Sequence, residues 1–169
     1  MPTRPVRWMF MLVTAWLCAA LLAAPASAQE SRSSRLVDLA WLQAHRADVL
    51  LLDASMTPQH QAAHIPGAVS ADLYRYGVQE PSRSAMQQRM QSWGVSPGRK
   101  IVVYDQGADM MATRLFYDLY YHGVPASDLF ILDGGLAKWR AQGGAVTQAP
   151  TPPVPAGTDC GTGAGGNPL

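Results

Sequence analysis

The sequence predicts an α/β fold in which helices cover both faces of a mostly parallel sheet. Apolar runs of strand length occur at Val49–Asp53, Lys100–Tyr104 and Leu129–Leu132, and they lack the polar alternation of a solvent-facing strand. Segments with helical spacing separate these runs, an order of elements that favours parallel strands joined through helices. A chain of 169 residues is long enough for one such domain.

The first 28 residues have the pattern of a secretory signal peptide. Arg4 and Arg7 supply a positive start, residues 8–24 are almost wholly apolar, and the segment ends in Ala-Ser-Ala, a small-residue cleavage site. We therefore predict cleavage after Ala28, with export to the periplasm or beyond and no membrane contact afterwards. An uncleaved membrane anchor is the alternative, because the apolar stretch is close to the minimum length for spanning a bilayer.

The charge content argues against nucleic acid and anionic membranes as partners, and the cysteine content argues against a disulfide-stabilised fold. Loss of Arg4 and Arg7 leaves 11 basic residues against 12 acidic residues, and the basic residues are scattered. We therefore expect neither nucleic acid nor an anionic membrane as a partner. Cys18 lies inside the predicted signal, so Cys160 is the single cysteine of the mature chain and cannot form an internal disulfide. The fold must depend on its core.

The first half of the chain contains one central strand and several short elements. Residues 37–42 are typical of a short amphipathic helix that precedes the strand Val49–Asp53. Residues 55–63 predict a loop and a short helix, and the stretch His-Ile-Pro-Gly-Ala at 64–68 predicts a turn. Residues 69–73 predict a short edge strand.

The second half alternates helices with strands. Residues 82–93 place methionines and a tryptophan at helical spacing, with a serine as the N-cap and Gly94 beyond the end. A helix from about Met110 to His122 follows the strand Lys100–Tyr104. After the last strand, Asp133-Gly134-Gly135 predicts a tight turn and residues 136–142 a final helix.

The composition changes from Ala149 onward. The last 21 residues contain five prolines and five glycines, with Val154 and Leu169 as their large aliphatic residues. Such a segment buries too little apolar surface to offset an ordering entropy of roughly 1–2 kcal/mol per residue, so we predict a disordered tail. The chain then divides into a signal peptide at 1–28, a linker at 29–34, a domain at 35–148 and this tail at 149–169.

The loop after the strand Lys100–Tyr104 is the candidate site, because ligands bind beyond the carboxyl ends of parallel strands. Backbone N–H groups at the start of the next helix would suit an anion or a thiolate. Asp105 places a negative charge there instead. The sequence favours Asp105 as a helix cap over Asp105 as a nucleophile, since no supporting lysine and metal-binding acids are evident. The loop comprises Asp105, Gln106, Gly107, Ala108, Asp109 and Met110.

Metal binding is a second hypothesis for two pairs of residues. Asp105 could act with Asp109, or His60 with His64, but neither pair has a third ligand in a recognisable pattern. We therefore predict no metal site and no cofactor, and we interpret both histidines as surface or hydrogen-bonding residues.

Two further side chains are candidates for chemistry. Arg114 lies in the helix after the loop and could form an ion pair with Asp105 or Asp118. Cys160 lies in the predicted tail, where nothing positions it against the loop as catalysis would require. No Gly-x-Ser-x-Gly motif is present to indicate a serine hydrolase.

Four motifs in this order closely resemble the rhodanese family. They are Leu51-Leu52-Asp53-Ala54, His64-Ile65-Pro66-Gly67-Ala68, Val102-Val103-Tyr104-Asp105 and Leu132-Asp133-Gly134-Gly135-Leu136-x-x-Trp139. The resemblance implies a single domain with a central, mostly parallel five-stranded sheet. It also implies an activity that moves sulfane sulfur from thiosulfate or 3-mercaptopyruvate through a cysteine persulfide.

The resemblance places Asp105 where active family members have the catalytic cysteine. The chain is most similar to the first, non-catalytic half of tandem thiosulfate/3-mercaptopyruvate sulfurtransferases. We therefore predict no catalytic residue, and a structural or recognition role with a catalytic rhodanese domain or another protein as partner. One alternative is sulfur transfer through Cys160 or as part of an incomplete two-domain enzyme, and another is a module that binds anions or proteins.

Overall fold

The computed structural model describes residues 35–76 and 81–158. The predicted signal peptide, the linker and Cys160 lie outside these described residues and stay predictions. No helix within the two described ranges is long and apolar enough to cross a membrane.

Five parallel strands form one sheet, which confirms the predicted fold class. The strands are β1 (Leu36–Val37), β2 (Val49–Asp53), β3 (Val69–Ser70), β4 (Lys100–Tyr104) and β5 (Leu129–Leu132). The sheet order is β1-β5-β4-β2-β3, so β4 lies at the centre between β5 and β2. Both β2 and β4 are buried on their two faces, as their apolar sequences predict.

Helices cover both faces of this sheet and divide the core into two layers. The helices are α1 (Leu39–Ala44), α2 (Thr57–Ala62), α3 (Arg83–Ser92), α4 (Met111–Tyr121) and α5 (Gly135–Ala141), with 3₁₀ turns at Tyr74–Tyr76 and Ala126–Asp128. Helices α3 and α4 bury Met86, Met90 and Leu115 on one face, while α1 and α5 bury Leu42 and Trp139 on the other.

The N-terminal edge of the sheet differs from the sequence prediction. Val37 was expected to begin a helix, but it belongs to β1 and pairs with Leu132 of β5. Helix α1 starts after Asp38, whose Oδ1 accepts a hydrogen bond from the Trp41 N–H at 2.8 Å. A strand of two residues is too short to show an alternating pattern, so the residue pattern predicted a helix over the whole stretch.

A C-terminal strap, residues 147–158, follows the last helix and runs back along the β3 side of the sheet. It begins with a backbone pair between Thr147 and His64, with N···O distances of 2.8 and 3.0 Å. Near its other end, the Gly157 N–H donates to the Gln91 carbonyl at 2.7 Å. The predicted disordered tail begins at Ala149, whereas the structure describes residues up to 158 as bound to the domain. Composition indicates how much apolar surface a segment can bury, but it does not indicate backbone hydrogen bonds such as these. The disorder of residues 159–169 stays a prediction.

Candidate functional site

Asp105 lies directly after the central strand, and its carboxylate is held by the backbone of its own loop. Its Oδ1 accepts a hydrogen bond from the Gly107 N–H at 2.9 Å, and its Oδ2 accepts one from the Ala112 N–H at 3.0 Å. Ala112 lies in the first turn of α4, where N–H groups have no partner within the helix. Asp105 therefore has the capping geometry that the sequence predicts, and only 4% of its surface is exposed.

The backbone of the same loop is tied to the start of α5. The carbonyl oxygen of Asp105 accepts a hydrogen bond from the Leu136 N–H at 2.8 Å, and that of Gln106 accepts one from the Ala137 N–H at 3.0 Å. A Cβ atom on Gly135 would lie 2.6 Å from the Asp105 carbonyl oxygen, and one on Gly107 would lie 2.6 Å from the Gly134 carbonyl oxygen. Only glycine allows this close approach of the two segments.

The tip of the loop is its exposed part. Ala108 has a φ of 61°, a left-handed conformation that is uncommon outside glycine. Asp109 Oδ1 accepts a hydrogen bond from the Met110 N–H at 2.6 Å, and 69% of the Met110 surface is exposed. Behind the tip, Gln106 Nε2 donates to Ser55 Oγ at 2.9 Å and links the loop to the segment after β2.

This arrangement determines what the loop can do chemically. The N–H groups of Gly107, Met110 and Ala112 all face carboxylate oxygens of the loop itself. An anion or a thiolate that approached these donors would meet the negative charge of Asp105 and would have to displace its bonds. The geometry fits a structural cap, and the absence of a catalytic residue stays a prediction.

The sequence left Asp105 and Asp118 as possible partners of Arg114, and the structure pairs Arg114 with Asp118. Its Nε lies 3.0 and 3.2 Å from the two carboxylate oxygens of Asp118, one helical turn further along α4. The Asp105 carboxylate instead accepts hydrogen bonds from backbone N–H groups. Both partners of this ion pair lie in α4, so Arg114 does not supply a positive charge to the loop.

Sequence reasoning missed a buried polar cluster at the same end of the sheet. Asp53 ends β2 and is the register neighbour of Tyr104, which ends β4. Asp53 accepts hydrogen bonds from the Ser55 N–H at 3.0 Å and from His60 Nδ1 at 2.8 Å. Tyr104 Oη accepts a hydrogen bond from the Ile65 N–H at 3.1 Å. The sequence signal for this cluster was Asp53, the acidic residue at the end of the apolar run of β2.

The environment of Tyr104 disfavours its ionised form. Burial raises the pKa of the Tyr104 hydroxyl far above its usual range, and the negative charge of Asp53 raises it further. The Ile65 N–H and the guanidinium of Arg46 act in the opposite direction but are outweighed. Burial in turn lowers the pKa of Arg46. Tyr104 is therefore a neutral hydrogen-bonding group of the core.

The two histidines are buried, so their interpretation as surface residues was wrong and the hydrogen-bonding alternative is confirmed. His60 is 8% exposed and His64 is 1% exposed. Their rings stack with centroids 3.9 Å apart, and His64 Nδ1 lies 2.7 Å from the His60 carbonyl oxygen. At this edge the His64 backbone pairs with Thr147 of the C-terminal strap. Across residues 35–76 and 81–158, no three metal-ligating side chains are grouped closely enough to hold an ion.

Comparisons with known proteins agree on one family. A family model described as "Rhodanese-like domain" matches residues 37–142. The chain is 31% identical over 121 residues to a "Probable 3-mercaptopyruvate sulfurtransferase" of Pseudomonas aeruginosa, covering 59% of this chain and 42% of that relative. It is 32% identical over 131 residues to "Thiosulfate/3-mercaptopyruvate sulfurtransferase 2" of Arabidopsis thaliana, covering 67% of this chain and 38% of that relative. The chain thus spans less than half the length of these curated relatives.

Solved structures match the same architecture. SseA from Escherichia coli, described as a 3-mercaptopyruvate sulfotransferase with the rhodanese fold, has a TM-score of 0.67 and 25% sequence identity, covering 80% of this chain and 56% of its own. The 3-mercaptopyruvate sulfurtransferase from Leishmania major has a TM-score of 0.64 and 16% identity, covering 76% of this chain and 40% of its own. At that identity the second match supports the fold alone.

The hydrogen bonds of Asp105 predict a measurable contribution to stability. Asp105→Ala leaves the Gly107 and Ala112 N–H groups without their acceptor. We expect the free energy of unfolding, measured by urea titration, to fall by about 2 kcal/mol. Asp109→Ala is the matched control, because its side chain is exposed and bonds only the next residue. Equal stability of Asp105→Ala and the unchanged protein would contradict the capping role.

The raised pKa of Tyr104 predicts a pH-dependent effect of Tyr104→Phe. Near neutrality the substitution leaves the Ile65 N–H unpaired and should lower the free energy of unfolding by roughly 1–3 kcal/mol. Above about pH 10 tyrosine ionises in the unfolded chain but stays protonated in the fold. The stability from neutral Tyr104 is then lost at about 1.4 kcal/mol per pH unit. The difference between the two proteins should therefore shrink from pH 7 to pH 11, and a constant difference in denaturant titrations would refute this interpretation.

Proposed function

Because this chain belongs to the rhodanese-like domain family, we propose that it is an exported, non-catalytic member with a structural or recognition role. Its partner is a catalytic rhodanese domain of a sulfurtransferase that uses thiosulfate or 3-mercaptopyruvate. The names of the curated relatives support this substrate class. Those relatives are more than twice as long as the matched region, so their reaction is assigned to the partner rather than to this domain.

Asp105 is the observation that carries the proposal. Sulfur transfer through a persulfide needs a thiolate, which attacks the donor and then carries the sulfane sulfur as an S–S bond. A carboxylate has no sulfur atom with which to form that bond. The hydrogen bonds from the Gly107 and Ala112 N–H groups support a structural role for Asp105 at this position.

Exposed apolar side chains that follow strands at the carboxyl edge of the sheet support the recognition role. Met110 lies at the loop tip, and Met56 and Tyr74 are also exposed at the carboxyl end of the sheet. Asp72 links the segments that carry the last two, since its carboxylate accepts hydrogen bonds from Thr57 next to Met56 and from the Arg75 N–H next to Tyr74. Methionine and aromatic side chains are enriched at protein interfaces. We call Met56, Tyr74 and Met110 the rim patch.

The non-catalytic role predicts that the purified protein transfers no sulfur from thiosulfate to cyanide or from 3-mercaptopyruvate to a thiol. A catalytic sulfurtransferase assayed in parallel is the positive control. Turnover that survives Cys160→Ala and is lost in Asp105→Ala would overturn the proposal. Turnover that is lost in Cys160→Ala would instead support the alternative of transfer through that cysteine.

The recognition role predicts that the rim patch binds a catalytic rhodanese domain. Met110→Asp places a charge in the patch and should weaken this binding by at least about tenfold, because an unpaired charge would be desolvated at the interface. The dissociation constant can be measured by calorimetry. Val146→Asp is the matched control, since Val146 is an exposed aliphatic residue outside the patch. Equal weakening by both variants, or no binding by the unchanged protein, would contradict the proposed partner.

A further inference from the structure

The outer edge of β3 offers a backbone donor and a backbone acceptor on one residue. Strand β3 lies at the edge of the sheet and pairs with β2. The Ala71 N–H donates to the Asp53 carbonyl of β2 at 2.7 Å. Alternate residues of a strand direct their N–H and C=O groups to the same side, so those of Val69 and Ala71 point towards β2. The N–H and C=O groups of Ser70, which lies between them, point away from the sheet.

These two groups of Ser70 have no partner in the described parts of the chain, where no backbone or side-chain group forms a hydrogen bond with either of them. The C-terminal strap passes on this outer side, since Thr151 Oγ1 donates to the Ala68 carbonyl at 2.5 Å. That bond attaches the strap to the edge two residues before Ser70. The strap therefore covers the start of β3 and leaves the backbone of Ser70 unpaired.

A pocket beside Ser70 gives a ligand access to this edge. It has a volume of about 440 Å³ and lies between α2, β3, the end of α3 and the C-terminal strap. This volume is within the range of pockets that hold small organic molecules. Ser70 is half-buried and is itself a lining residue, so a ligand in the pocket contacts it. The pocket shares no lining residue with the loop at 105–110, and a ligand here is independent of the role of Asp105.

A residue that offers both groups on one side is complementary to a peptide. In an antiparallel pair, two opposite residues exchange both of their N–H···O=C bonds. A ligand residue that donates to the Ser70 carbonyl can therefore also accept from the Ser70 N–H. Free sheet edges capture extended peptides in this way, with the backbone supplying affinity and the surrounding pocket supplying specificity.

The surroundings of Ser70 indicate which peptides fit. No described Asp, Glu, Lys or Arg lines the pocket, so a charged side chain would lose its hydration without gaining a countercharge. The lining instead includes Val69, Val154 and three prolines of the strap, at positions 150, 152 and 153. We infer that this pocket binds an extended, uncharged and apolar peptide segment of another protein, which pairs with the backbone of Ser70.

A blocked single residue and its ester analogue are matched probes of this pairing. Acetyl-valine methylamide offers one residue with both N–H and C=O groups, and in the analogue an ester oxygen replaces the valine N–H. We expect the amide to bind the purified protein about tenfold more tightly than the ester, because the ester cannot donate to the Ser70 carbonyl. An NMR titration measures both affinities, and the amide probe should also shift the Ser70 N–H resonance downfield.

Two substitutions of Ser70 separate its backbone from its side chain. Ser70→Pro removes the N–H group, and proline is tolerated on an edge strand where that group faces away from the sheet. Ser70→Ala removes the hydroxyl group and keeps the N–H group. Affinity for acetyl-valine methylamide should fall about tenfold in Ser70→Pro and stay unchanged in Ser70→Ala.

Three results with the unchanged protein would overturn the inference, and none of them depends on the folding of a variant. The first is equal affinity for the amide and ester probes. The second is a Ser70 N–H resonance that does not move when the amide probe is added. The third is a Ser70 N–H that is already protected from hydrogen exchange before any probe is added, because the chain itself would then fill the edge.

Discussion

The hydrogen bonds around Asp105 join the central strand to two helices, and the local architecture depends on them. A parallel sheet delivers its strands to one edge, where each following helix starts with N–H groups that have no partner inside the helix. Asp105 supplies a carboxylate oxygen to the first turn of α4 and a carbonyl oxygen to the first turn of α5. One residue is thus bonded to the first turns of both helices, and its side chain serves as a structural acceptor.

Two polar clusters lie at the same edge of the sheet, and the alternation of side chains along a strand places them on opposite faces. Val103 packs into the layer of α3 and α4, and Asp105 bonds the first turn of α4, whereas Tyr104 packs into the layer with α1 and α5. The register that pairs Asp53 with Tyr104 therefore builds a polar cluster on the second face, with His60 as its third member. The domain has a capped loop on one side of its sheet edge and a buried imidazole pair on the other. The first carries the family resemblance, and the second lies where the C-terminal strap pairs with His64.

Sequence reasoning succeeded where a local pattern carries the information. The apolar runs of β2 and β4 and the cap geometry of Asp105 follow from a few neighbouring residues, and so do the bounds of α3. It failed where distant segments decide the outcome. The two-residue strand β1 exists because β5 is available to pair with Leu36 and Val37. His64 pairs through its backbone with Thr147, which is far away in the sequence. Composition alone could not indicate that a proline-rich segment would be held by backbone bonds.

The C-terminal strap changes where this domain ends as a unit of folding and of protein engineering. A Cβ atom on Gly157 would lie 1.9 Å from the Val95 carbonyl oxygen, and Val154 packs against Gly94, so these strap residues fit closely against the turn after α3. A recombinant fragment cut at the compositional boundary near residue 148 would lose most of the strap and uncover that turn. The structural boundary of the domain therefore lies at least ten residues beyond the point where its composition changes.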